Sequence, residues 1–165
     1  MKFLSMIRHA KSSWKHENLT DFERPLNKRG EQDAPIMGKR LLENKFLPDL
    51  IISSPAIRAK TTAVIIAKEI GYDTAKIKLD SSIYEANLRD LLALIVNLRS
   101  DLNNVVIVGH NPGLTNLNNY LTTDYIDNIP TCGIAFLKLS LPNWAEVQRS
   151  TASLLKFDYP KRKVD

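Results

Sequence analysis

VVIVGHNPGLTNLNNYL, residues 105–121, holds a strand, a turn and a helix in seventeen positions. Val105 to Val108 are all β-branched and do not alternate with polar residues, which suits a parallel strand whose two faces are both covered. Gly109 and His110 end the run. Asn111 can then cap, and Pro112 can occupy the first position of, a helix striped by Leu114, Leu117 and Leu121. A buried strand that passes directly into an amphipathic helix is the repeating unit of an α/β fold.

Working outward, the same unit recurs. Phe3 to Ile7 and Leu50 to Ser53 are short apolar runs, each followed by helical periodicity. Ala63, Ile66, Ala67 and Ile70 have the spacing i, i+3, i+4, i+7 and predict a helix over 57–70, and Leu88, Leu91, Leu92 and Ile95 repeat that spacing behind an Asn87 cap. Asn27 to Asn44 carries a similar stripe at Ala34, Met37, Gly38 and Leu41. Pro35 inside it would forfeit the bond to the Glu31 carbonyl, so a kink is expected there, or a helix that starts near Asp33. After Thr131 the pattern changes: Ile134 to Leu139 and Ala152 to Phe157 read as strands around the turn-prone LPNW at 141–144, an antiparallel edge to the sheet. No repeat, low-complexity tract or Gly/Ser linker intervenes. The expectation is one domain over residues 1–165, a three-layer α/β/α sandwich with a mostly parallel central sheet.

The bulk properties narrow the function classes. The chain has 165 residues, 44% hydrophobic and 25% charged, the balance of one globular domain with an ordinary core. Its longest apolar runs are far too short to span a bilayer, and MKFLSMIRHAK meets an Arg-His pair before a signal-like segment develops, so no membrane partner is expected. The single cysteine, Cys132, cannot form an internal disulfide, which points to a reducing compartment and hence the cytoplasm. The net charge of +5 is spread over scattered Lys and Arg residues, with KRK at 161–163 the only run and no groove-reading motif. That pattern argues against nucleic acid and suits phosphorylated or acidic partners.

In open α/β sheets ligands sit beyond the carboxyl ends of the strands. Those ends deliver Arg8 and His9 from the first run, Ser53, Ser54 and then Arg58 from the second, and His110 from the third. Two guanidiniums match phosphate oxygens bidentately, and an imidazole serves as nucleophile toward phosphorus or as donor to it, so the set points to phosphoryl transfer. The positive end of the helix after Asn111 would face the same anion. Neighbouring arginines would hold the His9 imidazole below its ordinary value and keep it unprotonated. Glu85, in IYEA at 83–86, precedes the helix behind Asn87 and is a candidate proton donor to the leaving group, or an acid that only complements the helix dipole. Ser12 is a candidate phosphate-side donor, with Ser13 and Lys11 as its loop neighbours. His16 reads as solvated, and a zinc site from His9, His16 and His110 lacks the usual spacing and a partnering cysteine, so no metal or other cofactor is expected. Cys132 reads as a packing residue; Trp14 and Trp144 carry no assignment.

With these residues in view, the chain resembles the histidine phosphatase (phosphoglycerate mutase-like) superfamily and, within it, is similar to the short SixA-type phosphohistidine phosphatases. The motifs are MIRHAKSSW at 6–14, with Ala10 in place of the superfamily's glycine, RPLNKRGEQDAP at 24–35, SSPAIRAKTTA at 53–63, IYEA at 83–86, VVIVGHNPGL at 105–114 and TCGIAFLKL at 131–139. They span almost the whole chain in the expected order. The resemblance implies a phosphoglycerate mutase-like fold, a phosphorylated nucleophile at His9, and a phosphoryl group held by Arg8, Arg58 and His110; Glu85 matches more loosely. It also implies metal-independent hydrolysis of phosphohistidine on a partner protein, such as a histidine phosphotransfer domain or a phosphocarrier, because the chain is too short for a large cap over the cleft. A small phosphorylated metabolite is the alternative substrate. A phosphoglycerate-type mutase is the alternative enzyme, and a phospho-recognition module the alternative without catalysis.

Overall fold

Side-chain alternation sorts the apolar residues of each strand onto two faces, and helices cover both. The computed structural model describes residues 1–163. In chain order its elements are β1 (Lys2–Arg8), α1 (Lys28–Glu43), β2 (Leu50–Ser53), α2 (Ile57–Ile70), β3 (Lys78–Leu79), α3 (Leu88–Val96), β4 (Asn104–Gly109), α4 (Gly113–Leu121), β5 (Ile134–Leu139) and β6 (Ala152–Asp158). They form one six-stranded sheet in the order β3-β2-β4-β1-β5-β6. β1, β2, β3 and β4 are mutually parallel, and β5 runs antiparallel to both β1 and β6, the edge arrangement that the sequence predicts. The fold is the α/β/α, phosphoglycerate mutase-like one that the motifs imply.

Leu4 and Met6 of β1, Ile52 of β2 and Val105 and Ile107 of β4 face α3 and α4, where Leu91, Ile95, Leu114, Leu117 and Leu121 close the core. Trp144 is fully buried on this side, and its indole N–H donates to the Leu102 carbonyl at 2.8 Å, so its one polar atom is satisfied. Ile7, Ile51, Val106 and Val108 face α1 and α2 through Met37, Leu41, Ala63 and Ile66. This double cover explains why the 105–108 run has no polar alternation.

Two expectations need correction. Helix α1 does not begin near Asp33: it starts at Lys28, with the Asn27 side chain accepting from the Gly30 N–H at 2.9 Å, and it runs through Pro35 to Glu43. The lost Pro35 bond is outweighed by this cap and by the buried stripe Ala34, Met37, Gly38 and Leu41 against α2, while Glu31 lies exposed, so water can serve its carbonyl. Pro112 lies just before α4 rather than in its first turn. Asn111 does cap: its side-chain oxygen accepts from the Thr115 N–H and hydroxyl at 3.2 and 2.9 Å. Strand β3, two exposed residues paired with the end of β2, has no apolar run to announce it.

The segment between β1 and α1 is tied to itself. The Asn27 N–H donates to the Lys11 carbonyl at 3.0 Å, the Ser13 N–H donates to the Pro25 carbonyl at 2.8 Å, and Ser12 bridges Leu26. Gly30 lies so close to Lys11 that a Cβ would collide with the Lys11 carbonyl oxygen, backbone that cannot step aside. Gly30→Ala is therefore expected to lower stability by about 1–3 kcal/mol. Urea unfolding followed by circular dichroism measures this, and a stability equal to wild type would show that the helix can retreat from the loop at no cost.

Candidate active site

The parallel register levels three strand ends. Arg8 pairs with Gly109 across β1 and β4, and Ser53 pairs with Val108 across β2 and β4, so the residues that follow emerge side by side. The backbone around His9 is held on every flank. Its N–H donates to the Gly109 carbonyl at 3.0 Å, the Cys132 N–H donates to the Arg8 and His9 carbonyls at 3.0 and 3.1 Å, and the Ala10 N–H donates to the Thr62 hydroxyl at 2.9 Å.

The His9 ring lies 2.7 Å through Nδ1 from its neighbour's carbonyl, Ala10 O. A carbonyl only accepts, so Nδ1 carries the proton and the Nε2 lone pair is left as the reactive one. The His110 ring stands 5.2 Å away, centroid to centroid. Its Nε2 lies 2.8 Å from the Ser54 hydroxyl, which already accepts from the Ala56 N–H. A hydroxyl that accepts one bond can still donate to or accept from Nε2, and His110 Nδ1 is left as the ring nitrogen without a protein partner.

Arg58, on the first turn of α2, is buried; its NH1 donates to the Asp21 carbonyl at 2.7 Å and its NH2 to the Asp21 carboxylate at 3.0 Å. Arg8 donates through NH1 to the Ile129 carbonyl at 2.9 Å. Three polar atoms stay buried without a protein partner beside His9: Arg8 Nε, Arg58 Nε and His110 Nδ1. Buried polar atoms without partners cost stability, and the two arginine Nε–H groups grouped beside an imidazole nitrogen suit an anion that accepts from both guanidiniums.

These residues line a cleft of about 220 Å³, together with Lys11, Ser12, Trp14, Arg24, Asn111 and Thr131. No lining residue is a carboxylate. Burial, more than charge, pushes the His9 imidazole down to about 3. The charges of His110, Arg58 and Arg8 add to it, and the Ala10 carbonyl opposes it. His110 is pushed down to about 4, again by burial first and then by Arg58. Burial also lowers the Arg8 guanidinium.

The structure brings Arg8, His9, Arg58 and His110 together. Ser12 reaches the cleft, but its hydroxyl accepts from Arg24 NH1 at 2.7 Å. Glu85 does not line the cleft: it is exposed, in the left-handed region at φ 56°, beyond Tyr84. His16 is exposed in the loop away from both other histidines. Cys132 is fully buried, and burial pushes its thiol up to about 12. Among the described residues no three His, Cys, Asp or Glu side chains gather as a metal site.

Sequence reasoning missed Arg24, Asp21 and Tyr84. The Arg24 guanidinium stacks on Trp14 at 3.5 Å and bonds Asp21 through Nε at 3.1 Å, and the Tyr84 hydroxyl donates to Asp21 at 2.7 Å. Tyr84 also meets the His110 ring edge-on at 5.6 Å. Arg24 opens the RPLNKRG motif and Tyr84 lies in IYEA, which were the available hints; Asp21 sits in a charged loop with no periodicity to mark it.

Known proteins resemble this chain in sequence and in overall fold. An uncharacterized chloroplastic protein of Arabidopsis thaliana is 31% identical over 87% of this chain and 69% of its own length. The protein assigned as the phosphohistidine phosphatase SixA in Agrobacterium tumefaciens superposes with a TM-score of 0.79 at 28% identity, covering 96% of this chain and 98% of that one. A protein histidine phosphatase SixA complexed with tungstate shares the fold at a TM-score of 0.81 and 17% identity, covering 96% and 97%. None of the described helices is long and apolar enough to cross a membrane. The sequence profile of branch 1 of the histidine phosphatase superfamily matches residues 4–94, and this chain belongs to that superfamily.

Proposed function

We propose that this histidine phosphatase hydrolyses phosphohistidine on a partner protein, with His9 as the nucleophile. The reading takes residues 1–165 as one catalytic domain and the cytoplasm as its compartment. The observation that carries it is the group of three buried, unpartnered nitrogens beside an imidazole whose tautomer leaves Nε2 free.

In the first step the Nε2 lone pair attacks phosphorus in line, and the bond from phosphorus to the substrate's imidazole nitrogen breaks. Arg8, Arg58 and His110 donate to the equatorial oxygens, where negative charge is spread in the transition state. A phosphoimidazole protonated on its second nitrogen departs as neutral imidazole, so the leaving group needs no carboxylic acid. A cleft with no carboxylate in its lining suits that substrate better than an alkyl phosphate. In the second step water attacks the phosphohistidine, releasing phosphate and restoring His9. The likeness to the Agrobacterium protein supports the substrate class, and tungstate, a tetrahedral oxyanion like phosphate, supports the anion site.

Inorganic phosphate release from a phosphohistidine-bearing phosphotransfer protein, without added metal, should be readily measured for wild type. It should fall more than about a thousandfold in His9→Ala. A mutase would return the phosphoryl group to its substrate with no net release, and a recognition module would bind phosphate and release nothing.

The buried histidines also make stability depend on pH. In the unfolded chain both titrate near the reference value of about 6.5, whereas in the fold they titrate near 3 and 4. Between those limits the unfolded chain binds more protons, so stability is fully present above about pH 6.5 and declines as the pH falls toward 4. His9→Ala removes one such group, and its thermal midpoint should drop less than that of wild type between pH 7 and 4. An equal drop in both would place the His9 titration at its ordinary value.

A further inference from the structure

Asp21 stands in a short 3-10 turn, Asp21–Glu23, in the loop between β1 and α1, with its side chain 47% exposed. An exposed carboxylate usually contributes little through its ion pairs. This one nevertheless engages two arginines of the cleft wall and the tyrosine that packs on His110. Its Oδ2 accepts from Arg58 NH2 at 3.0 Å and from the Tyr84 hydroxyl at 2.7 Å, and its Oδ1 accepts from Arg24 Nε at 3.1 Å and lies 3.1 Å from Arg24 NH2. Its main-chain carbonyl takes Arg58 NH1 at 2.7 Å.

The consequence for Arg58 is geometric. Asp21 binds the NH1–NH2 side of the guanidinium and leaves Nε as its buried, unpartnered donor. A planar fork held along one edge has its remaining donors aimed in a fixed direction, and the rotamer freedom of a long side chain is already spent before the ligand arrives. Arg24 is held through the same carboxylate, with its NH1 on Ser12. Tyr84, fixed by its hydroxyl, packs between Phe22 at 5.2 Å and the His110 ring at 5.6 Å. One carboxylate thus joins the loop after β1, the start of α2 and the loop before α3.

We infer that Asp21 is a positioning residue that pre-sets Arg58, and with it the His110 wall, for the phosphoryl group. The role rests on the phosphoryl-binding reading of the cleft. Asp21 touches no reacting atom and acts through the arginine, so its removal affects the transition state more than ground-state binding.

The test is orthovanadate affinity by calorimetry, alongside kcat and KM for phosphohistidine hydrolysis, in wild type, Asp21→Asn, Asp21→Glu and Tyr84→Phe. Asp21→Asn should weaken vanadate binding roughly tenfold or more and lower kcat roughly 10- to 100-fold with a smaller change in KM. Asp21→Glu, which restores the charge, should recover most of the loss, and Tyr84→Phe should lose several-fold. Wild-type vanadate affinity and kcat in Asp21→Asn would overturn the role. If that variant does not fold, wild-type vanadate affinity and kcat in Tyr84→Phe, which loosens the same carboxylate, would overturn it equally. Wild type that binds vanadate without releasing phosphate would defeat the enzyme reading alone, since the affinity series still reports on Asp21; wild type that binds no vanadate would defeat both.

Discussion

The pairing of β1 with β4 is the constraint from which the site follows. Arg8 lies opposite Gly109, so the two strands end level, and the His9 N–H can donate to the Gly109 carbonyl. A slip of one residue would turn Leu4 and Met6 away from α3 and α4 and carry His9 out of line with His110. The apolar core therefore fixes the spacing of the two imidazoles. Nothing within the cleft needs to hold them together.

Electrostatics and burial act in the same direction here. The arginines that would stabilise a phosphoryl group disfavour protonation of His9 and His110, and burial disfavours it further. Burial is the larger cause for both rings, so the state of the nucleophile is set by the closure of the strand ends and only reinforced by its cationic neighbours. The Ala10 carbonyl then chooses the tautomer. A neutral, oriented imidazole is thus a property of the backbone and the core as much as of the cleft.

Most of the fold was legible because it is written in local periodicity. The β-branched run at 105–108 and the stripes at 57–70 and 88–95 carry their own burial pattern, and the structure places strands and helices there. What was not legible depends on distant partners. Pro35 argues locally against a continuous helix, and the packing of α1 on α2, with the Asn27 cap, overrides it. Of the site, the strand ends could be read because topology alone brings Arg8, His9, Arg58 and His110 to one edge. Asp21 and Tyr84 are 63 positions apart, and no spacing rule connects them before the chain folds. Glu85 illustrates the converse: its place before a helix suggested chemistry, while in the fold it is exposed and absent from the cleft lining.

The two tryptophans occupy opposite environments. Trp144 is sealed in the core with its N–H bonded to Leu102, whereas Trp14 is 75% exposed, lines the cleft and lies flat against the Arg24 guanidinium. The molecule therefore carries a built-in pair of optical reporters. Emission from Trp144 follows the integrity of the core at short wavelength, and emission from Trp14, at longer wavelength and quenched or released as its cationic neighbour shifts, follows events at the mouth of the site.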